Sequence, residues 1–498
     1  MAIRALYVTS EAYPLAKTGG LADVSAALPA ALREYGIDTR VLLPAYPQAL
    51  ERAPHPREIS RLGNVAGWGE ARILETSLPG NHVTVWLVDC PALYQRDGGP
   101  YQTHDGRDWP DNAERFALLN HAAMAIVDGA VDGWIPHLVH ANDWHAGLTP
   151  LLLSARKRIR PATVFTIHNL AYQGLFDAET FARLGLPREL FGNIEFYGRI
   201  SYLKAGIASA DALTTVSPTY AAEILTPEYG CGLDGLLRAR SDHLTGILNG
   251  ADYGVWDPRS DPHLPATYSC RSLSGKLACK REIQREMELT PDDDAPLMAF
   301  MSRLVHQKMP DVVLEAMPTL IEQGMQFALV AEGDSGYEAG FRALTERFPG
   351  RVAMRSDYEE ALGHRLLAGS DLLAHPARFE PCGLVPIYAL RYGTIPIVRN
   401  SGGMADSVVD ATVESIQHGT GTGFIFAGSS AQDFLDCTRR ALSFYRQPLP
   451  WRKLQTNAMA QDFSWRPSAE AYAQLYYSLV GMPAAAYEPL PEPVKIFA

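Results

Sequence analysis

The chain has 498 residues, which at roughly 100–200 residues per domain leaves room for two or three cores. It is 47% hydrophobic and 20% charged, the make-up of an ordinary globular protein, which excludes a disordered or fibrous chain. Lys+Arg 44 against Asp+Glu 56 gives a net charge of −12, so nothing sequence-wide draws the chain to nucleic acid or an anionic membrane, and any anion site must be local.

No apolar run reaches the ~18 residues of a membrane span. The N-terminal MAIRALYVTSEAYP offers too short an apolar segment for a signal peptide before Glu11, so a cytoplasmic location is expected. Six cysteines, Cys90, Cys231, Cys270, Cys279, Cys382 and Cys437, are scattered without a CxxC pair, which favours reduced thiols over a disulfide framework or a structural zinc site.

In chain order, strand-like runs are expected at 3–9, 83–89, 138–141, 162–168, 212–217 and 244–248, with helical patterns between them. Leu21, Val24, Leu28 and Leu32 share one helical face, and Gly36 is suited to end that helix. The same alternation resumes at 297–304, 327–331, 352–355, 371–376 and 394–399, so the fold class is α/β, with two doubly wound units in tandem. Their joint is expected at 249–258, where Asp257-Pro258, Asp261-Pro262 and Leu264-Pro265 punctuate the chain. Asp292-Asp293-Asp294 reads as a solvated loop entering a strand rather than a metal cluster. After Trp465 a helical pattern through Ala469, Tyr472, Leu475 and Leu479 leads into a Pro-rich tail expected to be irregular.

Ligands of open α/β sheets bind beyond the carboxyl ends of the strands, and the unusual residues sit there. The first such turn is Lys17-Thr18-Gly19-Gly20-Leu21-Ala22-Asp23: two glycines, the start of a helix and a lysine suit a diphosphate, although neither a Walker nor a GxGxxG spacing is present. His140-Ala141-Asn142-Asp143-Trp144-His145 and the run from Thr166 through His168 and Asn169 to Gly174 place an aromatic ring beside carboxylate, imidazole and amide groups, as a sugar site needs. In the second half, Arg303 and Lys308 precede a helix begun by Pro310 and could clamp a leaving phosphate. Glu380-Pro381-Cys382-Gly383-Leu384 opens another helix, and a glutamate at the mouth of such an anion site needs a neutral or positive partner such as a sugar. Arg399-Asn400-Ser401-Gly402-Gly403 repeats the glycine-rich turn.

These motifs resemble, in order and over nearly the whole length, the bacterial and plant-type glycogen (starch) synthases that use ADP-glucose: KTGGLADV, DWHAGL, TIHNLAYQG, TPEYGCGLDGLL, ILNGADYGVWDP, SRLVHQK, RFEPCGL, ALRYGTIP, GTGF and QDFSW. The resemblance implies a GT-B fold of two Rossmann-like domains facing a central cleft: 1–248 on the acceptor side, 249–465 binding the nucleotide sugar, and 466–498 as a helix crossing back plus tail. It implies a retaining hexosyltransferase (EC 2.4.1.21) acting in glycogen biosynthesis. Glu380, Asp143, Lys308 and Arg303 would be catalytic. Lys17, Gly19, Gly20, Asp23, His168, Asn249, Cys382, Gly383 and Leu384 would bind the donor, and Tyr101, Trp144 and Asn169 the acceptor. No metal or other cofactor is expected, the partners are ADP-glucose and an α-1,4-glucan, and the oligomeric state is open.

The chain departs from the family pattern around the donor. Lys308 precedes Met309-Pro310 where KxG is usual, GxGD reads Ala331-Glu332-Gly333-Asp334, and EPCGLTQL reads EPCGLVPI, which removes a hydroxyl at Val385. TGGL is Ser401-Gly402-Gly403-Met404, and HAHDW is HANDW. The charged groups persist, which favours an active enzyme, with altered nucleotide-sugar preference as one alternative. A weakly active glucan-binding or regulatory relative, and a phosphorylase-like enzyme carrying a lysine-bound pyridoxal cofactor, are the others.

Overall fold

Short runs of β-branched and aliphatic residues, each followed by a helix, build parallel sheets in both halves. The computed structural model describes residues 2–156, 160–357 and 359–481; the tail expected to be irregular lies outside them. One unit takes Met1–Val216, Ala221–Gly250 and the chain from Trp465, and the other takes Ser217–Tyr220 and Ala251–Ser464. The chain therefore passes from one to the other after Gly250 and returns after Ser464, with a brief excursion at 217–220 that the sequence pattern did not suggest.

The strands of the first unit are β1 (Ile3–Val8), β2 (Ile37–Pro44), β3 (Arg57–Asn64), β4 (Glu70–Ser77), β5 (Thr84–Asp89), β6 (Leu138–Asn142), β7 (Ala162–Ile167), β8 (Leu175–Asp177), β9 (Glu195–Phe196), β10 (Arg199–Ser201), β11 (Ala212–Thr215) and β12 (Leu244–Gly246). Nine of them form one sheet in the order β12-β11-β7-β6-β1-β2-β5-β4-β3, parallel except for the antiparallel edge made by β3, β4 and β5. The parallel part runs outward from β1 in both directions, the doubly wound order in which connections reverse between β1 and β6. β8, β10 and β9 make a separate antiparallel sheet. Tyr7, Val8, Val41, Trp86, Val139 and Phe165 are fully buried in the core.

The second unit contains β13 (Leu297–Met301), β14 (Gln326–Val330), β15 (Val352–Arg355), β16 (Leu372–His375), β17 (Ile395–Arg399) and β18 (Phe424–Phe426), all parallel, in the order β15-β14-β13-β16-β17-β18. This is the 3-2-1-4-5-6 order of dinucleotide-binding folds, with its reversal between β13 and β16. Its helices start on local signals: Pro310 occupies the first position of Pro310–Glu322, the Asp334 carboxylate accepts the N–H groups of Gly336 and Tyr337, and Ser430 and Asp433 form a capping box.

The last described helix, Trp465–Val480, belongs to the first unit. Its apolar face buries Tyr472 and Tyr476, the Tyr477 hydroxyl donates to Tyr35 O at 2.8 Å, and the Ser468 hydroxyl donates to Leu248 O. The Asp292 carboxylate is spent on the N–H groups of Asp294 and Ala295, and Asp293 pairs with Arg281. Among the described residues no group of three His, Cys, Asp or Glu could hold a metal ion, and no helix is long and apolar enough to cross a membrane.

Candidate active site

In each unit many of the expected residues lie at the carboxyl ends of the two strands that flank the reversal, where an open sheet leaves a crevice, whereas Tyr101, His168, Asn169 and Asn249 lie on other segments. In the second unit the flanking strands are β13 and β16. Arg303 and Lys308 follow β13, and Glu380 follows β16. The Lys308 ammonium donates to Glu380 Oε2, and both side chains are nearly buried. His375, the last residue of β16, places Nε2 at 3.6 Å from the same oxygen, outside hydrogen-bond range. Burial pushes the Glu380 carboxyl up, but Lys308 and His375 outweigh it and hold the pKa down at about 2. Burial, followed by the Lys308 charge, keeps His375 below the usual imidazole range, hence neutral at pH 7. Lys308 is thus a positive partner of Glu380 within the second unit. Arg303 is exposed beside this pair in the chain.

Gly383 has φ +83 and caps the helix Leu384–Arg391, so the N–H groups of Gly383, Leu384 and Val385 open the helix, while Pro386 at the next position supplies none. A Cβ on Gly403 would stand 2.2 Å from Cys382 O, so the Ser401-Gly402-Gly403 turn is pressed against this loop, with Gly403 N–H donating to Glu380 O at 3.0 Å. Cys382 is buried there. Gly333 has φ +151, and a Cβ on it would meet Leu304 O at 2.6 Å, which seats the Glu332-Gly333-Asp334 turn against the Arg303 loop. The Arg378 guanidinium, on the loop after β16, braces the loop after β13, donating to His306 O and to the Asp311 carboxylate. Met309, at the departure from KxG, has φ +51 and is fully buried in the apolar core. Met309 thus holds a left-handed backbone conformation with a bulky side chain.

In the first unit the strands are β1 and β6. Lys17 donates to Asp23 at 3.0 Å and lies 5.0 Å from the Tyr13 ring centroid. Asp23, expected on the donor, is paired here with Lys17. Glu11, which the sequence reading passed over, is 3% exposed and fills the turn. Its Oε2 accepts the N–H groups of Thr18 (2.6 Å) and Gly19 (3.1 Å), and its Oε1 accepts the hydroxyls of Thr18 and Tyr101. The Gly19 N–H expected to cradle a phosphate is therefore engaged by Glu11, and Gly20 begins the helix. The available signal was position, a glutamate directly after β1. Tyr101 also bonds Ser10 at 2.7 Å and stacks on His145 at 4.7 Å.

Asp143 follows β6 with φ +55 and ψ −177, a conformation ordinarily left to glycine. Its Oδ1 accepts the His168 N–H at 2.8 Å and the Asn169 N–H at 3.4 Å. Burial raises its pKa to about 7 in spite of those two bonds. Asn142, where HAHDW has histidine, turns its Nδ2 to the carbonyls of Val8 and His140, leaving Oδ1 to face His168 Nε2 at 3.0 Å. An amide oxygen only accepts, so His168 carries its proton on Nε2 and keeps Nδ1 as an acceptor. Burial holds His168 far below its ordinary pKa, hence neutral.

Trp144, expected to line the sugar site, is half-buried among Phe116, Phe176 and Tyr202, and a Cβ on Gly174 would collide with its ring at 2.4 Å. Asn169 closes a local turn onto the Ala171 N–H. Asn249 is buried with Oδ1 unpaired. His140 is structural, bonding the Tyr476 and Thr166 hydroxyls, both at 2.5 Å.

The starch synthase catalytic domain family matches residues 4–239, and the glycosyl transferases group 1 family matches residues 281–453. A glycogen synthase of Burkholderia thailandensis is 50% identical over 480 residues, 95% of this chain and 90% of that protein. The chain belongs to the glycogen synthase family. A second member, from Paramagnetospirillum magneticum, is 48% identical over 96% of this chain and 98% of its own. The catalytic domain of starch synthase IV from Arabidopsis thaliana, bound to ADP and acarbose, superposes with a TM-score of 0.88 at 30% identity, covering 97% of this chain and 100% of that one. A sucrose-phosphate synthase from Thermosynechococcus elongatus, at TM-score 0.60 and 16% identity over 96% of this chain and 99% of that one, shares the fold. As in these glycogen synthases, the fold is GT-B and the activity is glucosyl transfer.

Proposed function

We propose that the chain transfers glucose from ADP-glucose to the non-reducing 4-hydroxyl of an α-1,4-glucan, with retention of configuration. The observation that carries this reading is the buried Lys308–Glu380 pair beside the Gly383 turn. Lys308 and the helix-terminal N–H groups stand close together there, and such groups stabilise the charge that develops on a departing diphosphate. Lys308 and Arg303 stabilise the diphosphate; Glu380, held ionised, faces the partial positive charge at the sugar's anomeric carbon. In the first unit, Asp143, His168 and Asn169 supply acceptors and donors for sugar hydroxyls.

The reaction we assign is a front-face displacement. The anomeric C–O bond to phosphate breaks, the acceptor oxygen bonds to the same face, and the acceptor proton passes to the leaving phosphate oxygen. Retention through a covalent intermediate would instead require Glu380 to leave Lys308 and attack carbon. Azide rescue of an inactive Glu380→Ala enzyme with an inverted product would reject the front-face route.

ADP as the leaving group is supported by the ADP-bound Arabidopsis relative. The loss of the Val385 hydroxyl and the Pro386 N–H favours weaker phosphate binding than a Thr-Gln pair would give. The test is kcat/KM for ADP-glucose against UDP-glucose with glycogen as acceptor: a preference for ADP-glucose is expected, and a strong preference for UDP-glucose would reject the donor assignment.

A further inference from the structure

The loop that carries His168 and Asn169 runs directly into the small antiparallel sheet of the first unit. β8 begins one residue after Gly174, and its base is tied to that loop: the Ser201 hydroxyl and the Leu203 N–H donate to Gln173 O, and the Tyr202 N–H donates to Gly174 O. The register Ser201↔Leu175 sets the base of the sheet at Gly174, against Trp144, and Arg199↔Asp177 sets its outer end at the Tyr197-Gly198 turn. At a rise of ~3.3 Å per residue, that turn lies roughly 10–13 Å along the strand from the base.

Tyr197 at this tip is 81% exposed. Both turn residues are left-handed, Tyr197 at φ +48 and Gly198 at φ +78, a hairpin geometry that Asn-Gly adopts readily and that strains an aromatic residue. The Phe196 ring stands edge-on to it at 4.7 Å, and Gly232 abuts both rings. The 231–232 turn is in turn fixed to the same loop by Gln173 Nε2 donating to Cys231 O at 2.9 Å. Tyr172, beside Gln173, is 44% exposed. The fringe carries both signs, Asp177 and Glu195 against Arg199. Exposed flat rings bordered by hydrogen-bonding groups with no dominant charge match a neutral carbohydrate, and the surface is continuous with the loop already assigned to sugar.

We infer that Tyr172 and Tyr197 form an outer subsite that stacks on glucose rings of a long α-1,4-glucan, several residues from its reacting end. This rests on the acceptor assignment above.

The test compares the full chain with Tyr197→Asn and Tyr197→Phe. Readouts are kcat and KM with glycogen and with maltotriose, retardation in a native gel containing glycogen, and oligomeric state. Asn suits the turn, so the thermal midpoint of Tyr197→Asn should equal or exceed that of the wild type. Its KM for glycogen should rise about three- to tenfold, with matching loss of gel retardation and with maltotriose kinetics within about twofold of wild type. Tyr197→Phe keeps the ring and should stay near wild type. Unchanged glycogen KM and retardation would overturn the inference. So would an equal loss on both acceptors, or a changed oligomeric state with glycogen affinity intact, which would make the patch a contact between copies. A wild type that transfers glucose to neither acceptor would overturn the acceptor assignment, and gel retardation would still decide the subsite.

Discussion

Burial would push Glu380 upward, and the Lys308 ammonium, with His375, reverses that to about 2, so the carboxylate stays ionised although it is buried. Removing one partner alone leaves a buried unpaired charge. Lys308→Met should therefore cost about 3–5 kcal/mol in denaturant unfolding, while the double variant with Glu380→Gln should recover much of that. Transferase activity should fall roughly 10²–10³-fold in the single variant and stay lost in the double one. Equal stability of the two variants would remove the pair from this role. Asp143 has the opposite sign. Its folded pKa, raised from 3.8 to about 7, means that the folded state holds a proton the unfolded state releases. The contribution of this group to stability is fully present below about pH 4 and is lost as pH rises to about 7. The stability of Asp143→Asn relative to wild type should accordingly grow across that window and level off above it, as urea midpoints at successive pH values would show. A gap that is constant with pH would contradict the shift.

At the scale of elements, the helix Leu384–Arg391 begins with three free N–H groups instead of four because Pro386 has none. Val385→Thr with Pro386→Gln should restore a hydroxyl and an N–H, lowering the KM for the nucleotide sugar about two- to tenfold with kcat little changed. An unchanged KM would place these positions outside the phosphate contacts. Met309 makes a related trade: its left-handed backbone costs about 1 kcal/mol, but its buried side chain fills the core under β13, so Met309→Gly should destabilise despite the relieved backbone. Most strands that end in a glycine-rich or charged turn were legible in the sequence, because buried parallel strands are short apolar runs. β2, β3 and β4 were not. β3, Arg-Glu-Ile-Ser-Arg-Leu-Gly-Asn, is an edge strand with no buried residue, and β2 opens with alternating polar positions. β8, β9 and β18 are two or three residues long, too short to carry a period. The candidate residues were legible through chemistry and order along the chain, but their pairing was not. Glu11 in the Lys17 turn, and Asp23 and Glu380 as lysine counter-ions, depend on contacts between loops that no local pattern encodes.

For the whole molecule, the two passages of the chain run side by side: the Ala251 N–H donates to Phe463 O, and the return into Trp465–Val480 completes the first unit under β6. That helix is part of the core, not an appendage. Tyr476→Phe should lose the bond to His140 and about 1 kcal/mol, whereas Tyr476→Ala should cost about 3–5 kcal/mol, both read by thermal or urea unfolding. Equal effects would mean the ring is not packed as described. The acidic balance of the sequence also takes a definite form, with a few lysines and arginines placed at the carboxyl ends of strands while the net charge stays at −12. In the proposed function, this arrangement moves glucose from ADP-glucose to the non-reducing end of an α-1,4-glucan through Lys308. Its most direct test is transfer of labelled glucose from ADP-glucose to glycogen by wild type and Lys308→Ala, followed by β-amylase digestion. Label released as maltose by the wild type, and at least a hundredfold less by the variant, is the expected result. Label that resists β-amylase, or undiminished transfer by Lys308→Ala, would contradict the account.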